Sequence, residues 1–177
     1  MDKKELGFEC EKAIRFLAEH MIDDGWKKPA FFHSIRVGSF LYQNAYDRDI
    51  VIAGFLHDIL EDGSGISEET IRDGFGEAVL TIVKANSKDE SIEGKQAKKQ
   101  DLVDRCIGAG ENAAIVKASD ILDNFLYYNM TGNGSELKNH CIPYAELLLG
   151  ELPKSYANPI FDRLSDVTRS AHTTLNR

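Results

Sequence analysis

Residues 48–62 read Arg48-Asp49-Ile50-Val51-Ile52-Ala53-Gly54-Phe55-Leu56-His57-Asp58-Ile59-Leu60-Glu61-Asp62, or RDIVIAGFLHDILED. Every position from Ile50 to Leu56 is apolar or glycine, with none of the alternation that a half-exposed strand requires, so the segment predicts a central helix with neighbours on several sides. The same run ends in a histidine and three carboxylates. On a continuous helix His57 and Glu61 share one face and Asp58 and Asp62 another, the two pairs being about 100° apart. A charge buried alone is costly, so these groups must be paired, bound to a cation or turned to water.

Helical periodicity continues on both sides. Upstream, Leu6, Cys10, Ala13, Ile14, Leu17 and Met21 recur at spacings of three and four, a stripe that ends near DDGWKKP. AFFHSIRVGSFLYQNA repeats the period through Phe32, Ile35, Ser39 and Tyr42, with His33 in its first turn. Downstream, Ser67 and Thr70 open a short helix that Gly74 and Gly76 close, and EAVLTIVKANS gives another. The polar stretch KDESIEGKQAKKQ predicts a loop and a helix start. ENAAIVKASDILDNFLYYNM predicts a long helix broken at Gly132, Asn133 and Gly134, and two amphipathic helices finish the chain. The fold class that follows is all-α, a single-domain helical bundle over residues 1–177. A chain of 177 residues, 42% hydrophobic, is long enough for one real core and short for two.

The net charge of −8 disfavours a nucleic-acid or anionic-membrane surface, though a small anionic substrate needs only a local basic cluster. No run approaches the roughly 18–20 apolar residues of a membrane span, and the charged N-terminus lacks a signal-peptide core. Cys10, Cys106 and Cys141 have no metal-type spacing and read as reduced, buried thiols of a cytoplasmic protein.

A second carboxylate stands inside an apolar helix at KASDILDN, where Asp120 and Asn124 share a face. Imidazole and carboxylate together suit Mn²⁺, Fe²⁺ or Zn²⁺, and the candidate shell is His33, His57, Asp58 and Asp120, which would tie three helices to one cation.

The order His33, His57-Asp58, Asp120 resembles the H…HD…D signature of the HD superfamily of metal-dependent phosphohydrolases. FFHSIRVG, AGFLHDILED, FGEAVLTIVK and IVKASDILDN further resemble the hydrolase domain of the RelA/SpoT family, particularly its small stand-alone alarmone hydrolases, over about three quarters of the chain. The resemblance implies an HD-type helical bundle with one Mn²⁺ that removes the 3′-pyrophosphate of guanosine tetra- or pentaphosphate. It assigns His33, His57, Asp58 and Asp120 to the metal, Glu61 and Asp62 to the hydrolytic step, and Asn124 to the nucleotide. Members usually carry an Arg-Lys pair after the first helix. Here Trp26 and Lys27 stand at those positions, and SDILDN lacks the basic residue of the usual ADRLHN-like motif.

Trp26 is a candidate to stack on a base, Lys27 and Lys28 read as a solvated loop or as a phosphate contact, and Arg36, one turn after His33, reaches the same pocket or pairs with an acid. Lys95, Lys98 and Lys99 read as a wet helix face or a lid over a polyanion. Tyr127 and Tyr128 wall the pocket or belong to the core, and Asp123 reads as a surface acid. The partner expected is a small nucleotide, with no nucleic acid and no membrane; the oligomeric state stays open, a homodimer among the options. Two rival readings remain: an HD phosphatase of nucleoside monophosphates or another small phosphoester, and a non-catalytic module that keeps the metal shell for stability.

Overall fold

The computed structural model describes residues 2–21 and 28–175, which are helical with no β-strand among them. The chain divides into two compact units, Met1–Lys88 and Asp89–Arg177. No helix among the described residues is long and apolar enough to cross a membrane.

In the first unit, α1 (Lys3–His20) starts on a reciprocal cap. The Asp2 carboxylate accepts from the Glu5 N–H and the Glu5 carboxylate accepts from the Asp2 N–H, so two donors left over at the helix start are satisfied at once. Its Cys10, Ala13 and Leu17 are buried on one stripe. α2 spans Ala30–Gln43 and α3 spans Arg48–Leu56, with Ile50 to Leu56 all buried as α3 packs against α1, α2 and α6 (Glu77–Asn86). α4 is a single turn, Ile59–Asp62, and α5 (Glu68–Phe75) is capped by Ser67, whose hydroxyl accepts from the Thr70 N–H.

Two sequence expectations change here. RDIVIAGFLHDILED is not continuous: α3 ends at Leu56, and His57-Asp58 form the turn between α3 and α4. The inward face of α2 is also different. Phe32 and Tyr42 are exposed, at 56% and 38%, and His33, Ser34, Val37, Gly38 and Leu41 are buried instead. The reason is the close approach of α2 to α3. A Cβ added at Gly38 would lie 2.3 Å from Cγ of Phe55, and one at Gly54 would lie 2.4 Å from Cδ1 of Leu41 and 3.4 Å from Cα of Gly38. Only a face of small residues allows the backbones this near, so the small residues turn inward and the large aromatics turn out.

The end of α4 is pinned from the other side. Ser64 donates its N–H to the His20 carbonyl at 2.9 Å, and Met21 forms an isolated antiparallel bridge with Gly63. The acidic turn is thereby fastened to the C-terminus of α1.

In the second unit α8 (Glu111–Met130) is the centre, packed against α7 (Lys95–Gly108), α10 (Ile142–Glu151) and α11 (Pro159–Leu175), with Ala113 to Ile121 buried. The short α9 (Gly134–Glu136) leads through a π-turn, Leu137–Cys141, into α10. The Ile142 N–H reaches back five residues to the Leu137 carbonyl, and the next residue, Pro143, has no N–H with which to continue an α ladder there. Cys10, Cys106 and Cys141 are all free and buried, as expected. Burial, then the Glu9 charge, pushes the Cys10 thiol up to about 11; burial pushes that of Cys106 up to about 12.

Candidate metal centre

The break after Leu56 sets the chemistry of the first unit. The last turn of a helix leaves carbonyls without helical partners. The Gly54 carbonyl is one of these, and Nδ1 of His57 lies 2.9 Å from it. A carbonyl oxygen only accepts, so Nδ1 carries a proton and Nε2 is the ring nitrogen that a neutral imidazole would offer as a lone pair. That nitrogen faces Oδ2 of Asp58 at 3.2 Å. From α2, Nε2 of His33 faces the same oxygen at 3.7 Å, and the two rings meet edge to face with centroids 5.1 Å apart.

Both imidazoles are fully buried, whereas the Asp58 side chain is 17% exposed. Ligand atoms of His33, His57 and Asp58 all lie within 4.8 Å of one another. Donors about 2.1 Å from a shared cation sit roughly 3.0–3.5 Å apart, and an imidazole nitrogen opposed to a carboxylate oxygen is favourable with a proton or a metal cation between them; two imidazoles on one carboxylate oxygen match the donor set of a metal. The three residues therefore fit a divalent metal. The hydrogen bond from Nδ1 of His57 to the Gly54 carbonyl is the type of outer contact that orients a metal-binding imidazole.

The carboxylates of the next turn differ sharply. Both oxygens of Glu61 are taken by one residue: Oε1 accepts from the Lys88 N–H at 2.6 Å and Oε2 from Lys88 Nζ at 2.5 Å. Asp62, half-buried, makes no such bond among the described residues. Burial, with the negative charges of Asp58 and Glu61, pushes its carboxyl from 3.8 up to about 6, and Lys88 and Lys28 pull partly against that rise. Lys28 is thus close enough for its charge to bear on Asp62. Arg36 lies with its guanidinium over the Phe32 ring, 5.0 Å from the centroid. Trp26 and Lys27 lie outside the described residues.

In the second unit Asp120 and Asn124 are buried one turn apart on α8, as their spacing predicts. Nδ2 of Asn124 donates to Oδ1 of Asp120 at 2.7 Å, and Nζ of Lys117 donates to Oδ2 at 2.8 Å. Burial alone would lower the Lys117 pKa, but the Asp120 carboxylate, then Tyr144 and Cys106, drive it up, so the ammonium stays charged in the core. It lies 5.2 Å from the Tyr144 ring centroid, and Lys99 lies 5.0 Å from the same centroid.

Lys98 pairs with Glu90, so the KQAKK run is more engaged than a wet face would be. Asp123 is buried, at 9% exposure, where a surface acid was expected. Tyr128 is also buried on α8, and Tyr127 is only half-buried. Lys88 and Lys117 escape a reading by motif. Lys117 could have been found as a cation three residues before an acid in an otherwise apolar helix; nothing in the local sequence marks Lys88.

Residues 11–106 match the family model for the HD domain. The chain belongs to the HD domain family. The matched residues include His57-Asp58, at the α3–α4 turn. Among curated relatives, the guanosine-3′,5′-bis(diphosphate) 3′-pyrophosphohydrolase of Aquifex aeolicus is 30% identical over 120 residues, 66% of this chain and 17% of that protein. An Arabidopsis thaliana chloroplastic protein provisionally named a GTP diphosphokinase is 30% identical over 128 residues, 71% of this chain and 13% of that protein. The HD chain therefore spans under one fifth of the length of these two relatives.

Among solved structures, a metazoan SpoT orthologue described as hydrolysing ppGpp superposes with a TM-score of 0.75 at 23% identity, covering 92% of this chain and 94% of that one. A Listeria monocytogenes protein superposes with a TM-score of 0.64 at 21% identity, covering 80% and 99%. At these identities the likeness establishes the all-α HD fold.

Proposed function

We propose that this HD protein is a metal-dependent hydrolase that removes the 3′-pyrophosphate of guanosine 3′,5′-bispyrophosphate and its pentaphosphate counterpart. The observation that carries the reading is the convergence of His33, His57 and Asp58 on one point, with a carboxylate pair one turn further along the same segment. The relatives named above support the substrate.

His33, His57 and Asp58 would hold the ion, with Asp120 as a fourth ligand on the strength of the sequence pattern and Mn²⁺ the favoured metal over Fe²⁺ or Zn²⁺. A bound divalent cation supplies a water of lowered pKa and polarises a phosphoryl oxygen. The Glu61–Asp62 acid pair would orient the attacking water and supply the carboxylate oxygen that takes its proton. Lys28, with Lys27 and Arg36, offers positive charge to the phosphates. Asn124 and Trp26 are assigned to the nucleotide. The overall change adds water across the 3′ ester, releasing pyrophosphate and leaving guanosine 5′-diphosphate, or the 5′-triphosphate from the pentaphosphate, and no nucleophilic side chain is needed.

The test is product analysis by ion chromatography after incubation of ppGpp with Mn²⁺-loaded protein and with Asp58→Ala. Pyrophosphate and guanosine 5′-diphosphate from the unsubstituted protein alone are expected. No turnover with Mn²⁺, Fe²⁺ or Zn²⁺ refutes the reading. Orthophosphate released from nucleoside monophosphates would move it to the phosphatase alternative.

A further inference from the structure

The two acids of the Glu61–Asp62 turn are built differently, and Lys88 is the cause. Lys88 stands two residues beyond the end of α6 and is the last residue of the first unit. The residues before it fold back onto the helix: Nδ2 of Asn86 donates to the Ile82 carbonyl and the Ser87 hydroxyl to the Val83 carbonyl. This finishes α6 with its own side chains and leaves the Lys88 N–H outside the helical ladder. That N–H and the ammonium of the same residue then close on the two oxygens of Glu61.

Glu61 is well covered there, its side chain 13% exposed. A carboxylate held by two charge-assisted hydrogen bonds from one residue is fixed in place, with one lone-pair site on each oxygen already used, and is less free to turn toward an attacking water. Asp62, its neighbour, carries neither bond and keeps its oxygens for other work.

We propose that Lys88 is a positioning residue that clamps Glu61 and so divides the labour of the acid pair. Glu61, paired with the Lys88 ammonium, anchors the turn, and Asp62 is the carboxylate that accepts the proton of the attacking water. The catalytic half of this statement rests on the hydrolase reading given above; the clamp itself does not.

The experiment has two arms, on the full chain. In the first, ppGpp turnover is measured for Asp62→Asn, Lys88→Met, Lys88→Arg, Glu61→Ala and the Lys88→Met/Glu61→Ala double variant, each checked for an unchanged circular dichroism spectrum. Loss of a positioned base costs about a hundredfold or more in kcat for Asp62→Asn. Lys88→Met loses one of two bonds to a charged group, so a fall of about tenfold in kcat with KM nearly unchanged is expected, and Lys88→Arg should recover most of it. The double variant should be no slower than Glu61→Ala, because the two residues act as one unit. Multiplying losses, an unimpaired Lys88→Met, or Asp62→Asn milder than Glu61→Ala would overturn the proposal.

The second arm needs no turnover: amide hydrogen exchange at Lys88 in the metal-free protein. The exchange should be slow in the unsubstituted chain and at least about tenfold faster in Glu61→Ala. Fast exchange in both overturns the clamp. If the unsubstituted protein leaves ppGpp intact, the hydrolase reading falls and the exchange result alone decides the clamp.

Discussion

Gly38→Ala is the sharpest test of how the fold builds the metal centre. The added methyl carbon would lie 2.3, 2.4 and 2.5 Å from Cγ, Cδ1 and Cδ2 of Phe55. Carbon atoms pack at about 3.5–4.0 Å, so the shortfall is at least ~1 Å against the body of a ring that is itself only 2% exposed. Overpacking of this kind costs about 1–3 kcal/mol. Alanine also gains up to about 1 kcal/mol of helix propensity over glycine, which would mask part of the loss.

Gly7→Ala supplies the control, since Gly7 lies inside α1 and a Cβ there meets nothing within 4 Å. The propensity gain cancels between the two variants, leaving the overpacking cost of about 1–3 kcal/mol as the difference in urea-denaturation stability of the metal-free protein. Function should follow. Gly38 is five residues after His33 and Phe55 two before His57, so pushing α2 from α3 parts the imidazoles that now stand 5.1 Å apart. Metal coordination tolerates about 0.2 Å, and a Mn²⁺ affinity at least tenfold weaker by calorimetry is expected. Gly38→Ala equal in stability to Gly7→Ala, with metal affinity within about twofold of the unsubstituted protein, would refute the reasoning.

Three further outcomes are expected. Asp62 has a native pKa raised from 3.8 to about 6, so the unfolded chain ionises first and the metal-free protein loses stability as pH climbs from about 4 to about 6, with the full penalty above that. The linkage limit is roughly 3 kcal/mol, and about 1 kcal/mol is realistic for a half-exposed, screened carboxylate. Asp62→Asn should therefore raise the metal-free melting temperature at pH 7.5 and leave it unchanged near pH 3.5. Saturating Mn²⁺ at about a hundred times Kd should stabilise the protein by about 2.7 kcal/mol by denaturant titration, and His57→Ala should abolish that gain. Lys117→Met leaves the buried Asp120 carboxylate without its cation and should cost about 3–5 kcal/mol in urea unfolding, much of it regained with Asp120→Asn in the same chain.

The helices of this chain were legible because they rest on local periodicity and on glycines and caps that act within a few residues. The end of α8 and the Ser67 cap fell where the sequence put them. The break at His57-Asp58 was not legible. An apolar run followed by acids has helical spacing throughout, and what ends α3 is the tertiary fastening of the α4 end to α1 and the capture of a last-turn carbonyl by an imidazole. The face of α2 was misread for a related reason: burial of Gly38 and Ser34 is set by how near α3 must come, which hydrophobicity alone does not encode. The convergence of His33, His57 and Asp58 was anticipated from motif order. Lys88 was invisible because its partner lies 27 residues away and half of its grip comes from the backbone.

The three cysteines leave a practical opening. Each thiol in the chain is enclosed by the fold, and the two with displaced pKa values resist forming the thiolate that alkylating reagents attack. Native protein should therefore stay dark to maleimide dyes. A cysteine introduced at the exposed Glu93, five residues past Lys88, would be a unique attachment point without any prior removal of natural thiols. A fluorophore there could watch the segment after the Glu61 clamp while nucleotide is added, in a molecule otherwise unaltered.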